Sequence, residues 1–427
     1  MLTVAPRVLS ALSGCQIAAT SAPSASSVYS STSSPATHSQ SRPFASRTSS
    51  VPNIHLLAAS SRSTTQAMSD AVSGMSVPPA HSVDFHRRIF SPIVPIDEEK
   101  PSRVAVLGHR GMGSNHVLTT GIRENTVTAV NMAATAGADG AEFDVQVTSD
   151  GVPVIFHDEF LYGILPSDPE GGERTMRVAD ITLADFYALG SWLQESWEFG
   201  GNPRPYGQTE RVADDKPCTL EEFLKGTPED LTLNMEIKIP LLGVPMDILE
   251  TMIRRTLKVA SVHGAGRRII LTSFDPDACI VARKMQTTYP VMMLTNSGVV
   301  MYADRRRNSV AAAVKVAVEN GLQGISADST PLMANSGLLL RSIKDAGLFL
   351  MTWGAANNCM AHVEAQGAAG VDACIVDNVD VIARGVLANH YAPAVAAEAA
   401  SVAASVARVG SLPHIASEGL VALSAGV

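Results

Sequence analysis

From residue 104 onward, short apolar runs alternate with longer stretches in which apolar residues recur at helical spacing. The short runs are "VAVLGH", "ADGAEFDVQV", "LTLNMEIK", "RIILTS", "VMMLTN", "LQGISAD", "LFLMTW" and "DACIVD", eight in all. Between them lie "TVTAVNMAATAG", "PMDILETMIRRTLKVASVHG", "PDACIVARKMQTTY", "NSVAAAVKVAVENG", "LLLRSIKDAG" and "NCMAHVEAQGAAG". Several of these end on a Gly where a left-handed helix cap is needed. Strands alternating with helices predict an α/β chain with a parallel sheet, and eight such units predict a (β/α)8 TIM barrel. A doubly wound open sheet shares the alternation. It fits less well, because no GxGxxG follows the first run and polar residues end several different runs, which is where a barrel gathers its active site.

One connection breaks the rhythm. From Glu159 to about Pro217 the chain is rich in Gly and Pro, with a single helical patch, "TLADFYALGSWL". It predicts an insertion after the second strand, on the active-site face, either as a lid or as a solvated excursion. Before the barrel, the first seventy or so residues are rich in Ser, Ala and Thr, punctuated by Arg7, Arg42, Arg47 and Arg62, with no acid before Asp70. That is transit-peptide composition. The chain therefore divides into a leader (1–83), a linker (84–103), a barrel domain (104–390, with the insertion at 159–217) and an Ala-rich low-complexity tail (391–427). The Ser and Thr load predicts the plastid stroma, with the mitochondrion as the alternative.

Charge and cysteines narrow the partners. The net charge of −9, from 41 acids against 32 bases, excludes a nucleic-acid footprint and leaves no polybasic segment for anionic lipid. No apolar run reaches the length of a membrane span, so no integral membrane segment is expected. The five cysteines form no CxxC pair, so no zinc site is expected. The partner is sought in a small molecule bound at a local pocket.

The polar strand ends suggest what that pocket does. Strand side chains alternate, so Glu142 and Asp144 share the inward face while Phe143 and Val145 face the helices, with Gly140 leaving room beneath. Two carboxylates buried side by side repel unless a cation lies between them or one is neutral. The third strand adds Asn234, Glu236 and Lys238 on one face, with Met235 and Ile237 on the other. Three carboxylates suit a hard divalent cation, Mg2+ or Ca2+, rather than zinc. His109 and His157 each end a β-like run, "VAVLGH" and "VPVIFH". One imidazole can take a proton from a nucleophile while the other gives one to a leaving alkoxide. Arg110 and Lys238 can neutralise an anion whose charge grows in the transition state. Together these groups describe phosphodiester cleavage.

"GHRG" (108–111), "ENT" (124–126), "GADGAEFDVQVTSDGVPVIFHD" (137–158), "PCTLEEFL" (217–224), "NMEIK" (234–238), "SFDPD" (273–277) and "GVDACIVDN" (370–378) resemble the glycerophosphodiester phosphodiesterases, over roughly residues 104–387 in family order. The wording "EFDVQVTSDG" is nearest the plant and algal plastid branch. The resemblance implies a TIM barrel with an insertion after the second strand, and a divalent cation. It implies release of sn-glycerol 3-phosphate and an alcohol from glycerophosphocholine, glycerophosphoethanolamine, glycerophosphoglycerol and similar diesters. By the same resemblance His109 and His157 are the catalytic histidines and Arg110 the phosphate-binding arginine. Glu142, Asp144 and Glu236 are then the metal ligands, and Lys238 the basic residue beside them.

The chain departs from the family pattern in places. Arg123 replaces the usual Pro before "ENT", leaving Asn125 or Thr126 to cap the helix. "TWGAANN" replaces Trp-Thr-Val-Asn, with Trp353 expected to flank the glycerol moiety. Phe274 and Asp275 either face the site or, for Asp275, cap the next helix. Two other functions fit the same residues: a lyase that releases a cyclic phosphate, and a catalytically silent binding protein. Head-group preference and oligomeric state are not fixed by these motifs.

Overall fold

The computed structural model describes residues 103–114, 122–190, 216–240, 243–334 and 337–390, with Ile89 and the short strands Glu195–Ser196 and Arg204–Pro205. The leader 1–83, the tail 391–427 and most of 191–215 lie outside the described residues.

All eight predicted strands form: β1 (Ala105–Gly108), β2 (Gly140–Val147), β3 (Thr232–Ile237), β4 (Ile269–Ser273), β5 (Val291–Thr295), β6 (Gly324–Asp328), β7 (Phe349–Trp353) and β8 (Ala373–Val376). They pair in parallel, each with the next, and β8 returns to β1, closing the barrel. The connecting helices are α1 (Val127–Thr135), α2 (Leu220–Gly226), α3 (Met246–His263), α4 (Pro276–Met285), α5 (Val310–Glu319), α6 (Leu338–Asp345) and α7 (Met360–Ala369), followed by helical residues 379–390. Side-chain oxygens of Thr126, Thr219, Asp275 and Ser309 cap α1, α2, α4 and α5. Thr126 rather than Asn125 therefore starts α1, and Asp275 is a helix cap.

Strand alternation divides the core in two. Leu107, Ile270, Met292, Phe349, Met351 and Ile375 fill the barrel interior. Phe143, Leu233, Met235, Leu271, Met293, Ile325, Leu350 and Cys374 point outward into the layer beneath the helices. Apolar inner residues occupy the lower barrel on most strands, whereas β2 and β3 place their polar side chains inward above them. Gly140 makes this possible: a Cβ there would lie 2.7 Å from the Thr232 carbonyl oxygen and 3.1 Å from Leu107. Ile89, from the segment expected to be a linker, is buried in the interior cluster, and its carbonyl accepts a hydrogen bond from Thr232.

The described part of the insertion is folded. Pro153–Ile155 turns back antiparallel to β2, and Phe160–Gly163 pairs with Arg174–Arg177 in a hairpin that leads to the helix Leu183–Gly190. Val154, Leu161, Met176, Val178, Ile181, Phe186 and Leu189 form a small core of its own. Asp150 and the Ser149 N–H, in the turn after β2, tie it to the barrel through Leu183 N and Ile181 O. Among the described residues no helix is long and apolar enough to cross a membrane.

Candidate active site

The C-terminal end of β1 turns sharply through "GHRG". A Cβ on Gly108 would sit 1.8 Å from the Gly111 carbonyl oxygen; one on Gly111, at φ 94°, would sit 2.5 Å from the Ala129 Cβ of α1. Only glycine fits either place. Between them Arg110 is held at φ 48°, a left-handed conformation costly for such a residue and characteristic of functional sites.

Arg110 uses that turn to face the acids. Its backbone N–H donates to Glu142 Oε2 at 2.8 Å, and its Nη1 donates to Glu124 Oε1 at 2.9 Å. Its Nε lies 3.7 Å from Asp144 Oδ2, buried and without a hydrogen-bond acceptor. Burial opposes its charge, but Glu124, Asp144 and Glu142 outweigh it and hold the guanidinium ionised. A buried N–H without an acceptor is a ready donor to an incoming anion.

The three carboxylates converge as the alternation predicts. Glu142, Asp144 and Glu236 each bring an oxygen to within 4.8 Å of the others, the only such acid group among the described residues. The β2–β3 register sets this directly, pairing Asp144 with Glu236 and Glu142 with Asn234. Burial, then the charges of Asp144 and Glu236, push the Glu142 carboxyl well above the usual carboxylate range. Asp144 goes the other way. Burial would raise it, but Lys238, His157, Arg110 and a hydrogen bond from Asn125 hold it well below the usual range. Lys238 Nζ lies 3.0 Å from Glu236 Oε1 and 3.5 Å from Asp144 Oδ1, an oxygen that is buried and accepts no hydrogen bond. These acids keep Lys238 protonated despite its burial.

Both histidines are backed by a carboxylate. His109 Nδ1 lies 2.8 Å from Asp377 Oδ1, and His157 Nδ1 lies 2.8 Å from Asp158 Oδ1. An ionised carboxylate only accepts, so each contact places the proton on Nδ1 and leaves Nε2 for chemistry. His109 Nε2 points to the acid side, 4.0 Å from Glu142 Oε2. Burial would raise Asp377, but the bond and charge of His109, with donors Ser114 N and Asn358 Nδ2, depress it well below the usual range.

The site therefore joins His109, Arg110, Glu142, Asp144, Glu236 and Lys238 in one network, with the charge of His157 acting on Asp144. Trp353 stands apart, on β7 across the barrel. Its ring meets Phe274 edge-to-face at 5.7 Å and 84°, and its indole N–H is buried without an acceptor. Four residues add to the predicted set. Asp377 and Asp158 orient the histidines and Glu124 pairs with Arg110. Asn125, at φ 57°, donates to Asp144 Oδ2 at 2.9 Å while its own Oδ1 accepts from Asp144 N at 3.0 Å. Asp377 was findable, since it follows the last strand as His109 follows the first. Asn125 carried a weaker signal, because Asn tolerates the left-handed region that this reciprocal bond requires.

Residues 109–381 match the glycerophosphoryl diester phosphodiesterase family. The chain belongs to that family. A chloroplastic glycerophosphodiester phosphodiesterase of Arabidopsis thaliana is 38% identical over 299 residues, covering 67% of this chain and 81% of its own. A second glycerophosphodiester phosphodiesterase of the same plant is 36% identical over 290 residues, 65% of this chain and 76% of its own. A solved glycerophosphodiester phosphodiesterase from Parabacteroides distasonis superposes with a TM-score of 0.50 at 19% identity, covering 68% of this chain and 100% of that one, a likeness of fold.

Proposed function

We infer that this phosphodiesterase hydrolyses glycerophosphodiesters such as glycerophosphocholine, glycerophosphoethanolamine and glycerophosphoglycerol to sn-glycerol 3-phosphate and an alcohol, using Mg2+ or Ca2+. The observation that carries the reading is the joining of three convergent carboxylates to two carboxylate-backed histidines at one barrel mouth. The donor set fits a hard cation: it is all oxygen, buried, and contains both a carboxyl destabilised by its neighbours and a carboxylate oxygen without a hydrogen bond. Glu142, Asp144 and Glu236 would hold the ion. An ion held there would supply polarisation of a phosphoryl oxygen and neutralisation of charge on the diester.

The chain's own groups do the rest. Arg110, with its free Nε–H, and Lys238 bind the phosphodiester anion and stabilise the charge that builds on phosphorus. One histidine accepts at Nε2 the proton of the attacking oxygen, either water itself or a glycerol hydroxyl whose cyclic product a water then opens, and the other gives its proton to the departing alkoxide. Asp377 and Asp158 keep both rings turned so that Nε2 faces the substrate. Trp353 offers its unpaired indole N–H to a substrate oxygen on the far side of the mouth.

Phosphorus NMR of the protein with these diesters tests the reading. Accumulating sn-glycerol 3-phosphate supports hydrolysis, whereas a cyclic phosphate as end product moves the protein to the lyases. Absence of turnover on any of them supports the silent binding protein. Leader composition, together with the chloroplastic name of the Arabidopsis relative, supports a plastid location, within which the stroma is our proposal.

A further inference from the structure

On the barrel rim opposite the acids, Asp328 is a charged residue that the mechanism leaves unused. In the closed barrel β6 lies four strands from β2, and β7 four strands from β3. Asp328 ends β6 and pairs in register with Trp353 at the end of β7. Trp353 packs against the interior cluster, and the alternation that turns Phe349, Met351 and Trp353 inward does the same for Gly324, Ser326 and Asp328. Building on the reading of the site above, we propose that Asp328, beside Trp353, whose ring in turn meets that of Phe274, selects glycerophosphodiesters whose alcohol carries an ammonium group.

Charge, shape and aromatic surface all bear on this. The acids around the catalytic groups have cationic partners: Glu124 has Arg110, Asp144 has Arg110 and Lys238, Glu236 has Lys238, and Asp377 and Asp158 have the histidines. Asp328 has none among the described residues, its carboxylate being bonded by Thr330 N at 2.9 Å. Burial without a counter-charge pushes its carboxyl upward. A bound cation would relieve that cost. Space beside it is kept open by Gly354, at φ 112°, where a Cβ would come within 3.2 Å of Asp328 Oδ1. The adjoining Trp353 and Phe274 rings, set edge-to-face, supply an aromatic surface of the kind to which ammonium groups are drawn. The mouth thus presents Arg110 and Lys238 on one side and a lone carboxylate on the other. A zwitterionic diester, anionic at phosphorus and cationic at its alcohol, carries charges complementary to those two sides.

The test compares kcat/KM for glycerophosphocholine and glycerophosphoethanolamine with that for glycerophosphoglycerol, in wild type, Asp328→Asn and Asp328→Glu. Asparagine retains an acceptor for the Thr330 N–H, so the loop keeps its tie while the charge is lost. The expected result is a fall of about tenfold in the cationic-to-neutral ratio for Asp328→Asn, mostly through KM, with part of the preference kept by Asp328→Glu. An unchanged ratio overturns the proposal, whether the variant slows all three substrates equally or none. Wild type that cleaves none of the three would instead remove the reading of the site on which the proposal rests.

Discussion

Asp377 accepts from His109 Nδ1, Ser114 N and Asn358 Nδ2 at once, so the ring it orients cannot turn without breaking a network. An asparagine in its place could present an N–H to Nδ1 and favour the wrong tautomer. Asp377→Asn should lower kcat by about 10²-fold with little change in KM, measured by steady-state kinetics on glycerophosphocholine. The same group contributes to stability with a definite sign. Its folded pKa is depressed, so its contribution is present above the ordinary carboxylate range and lost as pH falls below about 4. Urea midpoints of wild type and Asp377→Asn should differ at pH 7 and converge on acidification. Asn125 acts instead on Asp144, one of the proposed metal ligands, through reciprocal hydrogen bonds. Asn125→Ala should weaken Mg2+ or Ca2+ binding about 10–100-fold by calorimetry. The convergence of the acids was legible because Glu142, Asp144 and Glu236 share one face by strand parity, and the histidines because each closes an apolar run. Asp377 went unassigned although its place after the last strand marked it, because its pairing with His109, 268 residues away, has to be read through closure of the barrel.

β2 carries both the site and part of the core. Phe143 lies between Glu142 and Asp144, points to the opposite face and packs against Phe223 of α2 at 4.3 Å between ring centroids. Phe143→Ala should cost about 3–5 kcal/mol in urea unfolding, because it leaves a cavity between barrel and helix. Activity should also fall, since the same stretch of strand aims two of the proposed ligands. The barrel strands were readable at this scale because each is a short run rich in apolar residues, set off by a helical stretch on most sides. The insertion was less so. Its hairpin strands, "FLYG" and "RTMR", lack a clear period-two pattern, and its core borrows Val154 from beside β2, so Gly and Pro content concealed a folded unit.

For the whole chain, the leader and the barrel make separate predictions. Residues 1–83 fused to a fluorescent protein should direct it to plastids; mitochondrial fluorescence would favour the alternative compartment. The barrel's own claim is that convergent acids, a bound hard cation and two oriented histidines together cleave the diester. Phosphorus NMR of the chain with glycerophosphocholine, after EDTA treatment and again after adding back Mg2+ or Ca2+, tests this most directly. The account predicts sn-glycerol 3-phosphate only when the cation is restored, and its loss in Glu142→Gln and His109→Ala variants that remain folded by circular dichroism. Turnover that survives chelation, or persists near the wild-type rate in those variants, would contradict it.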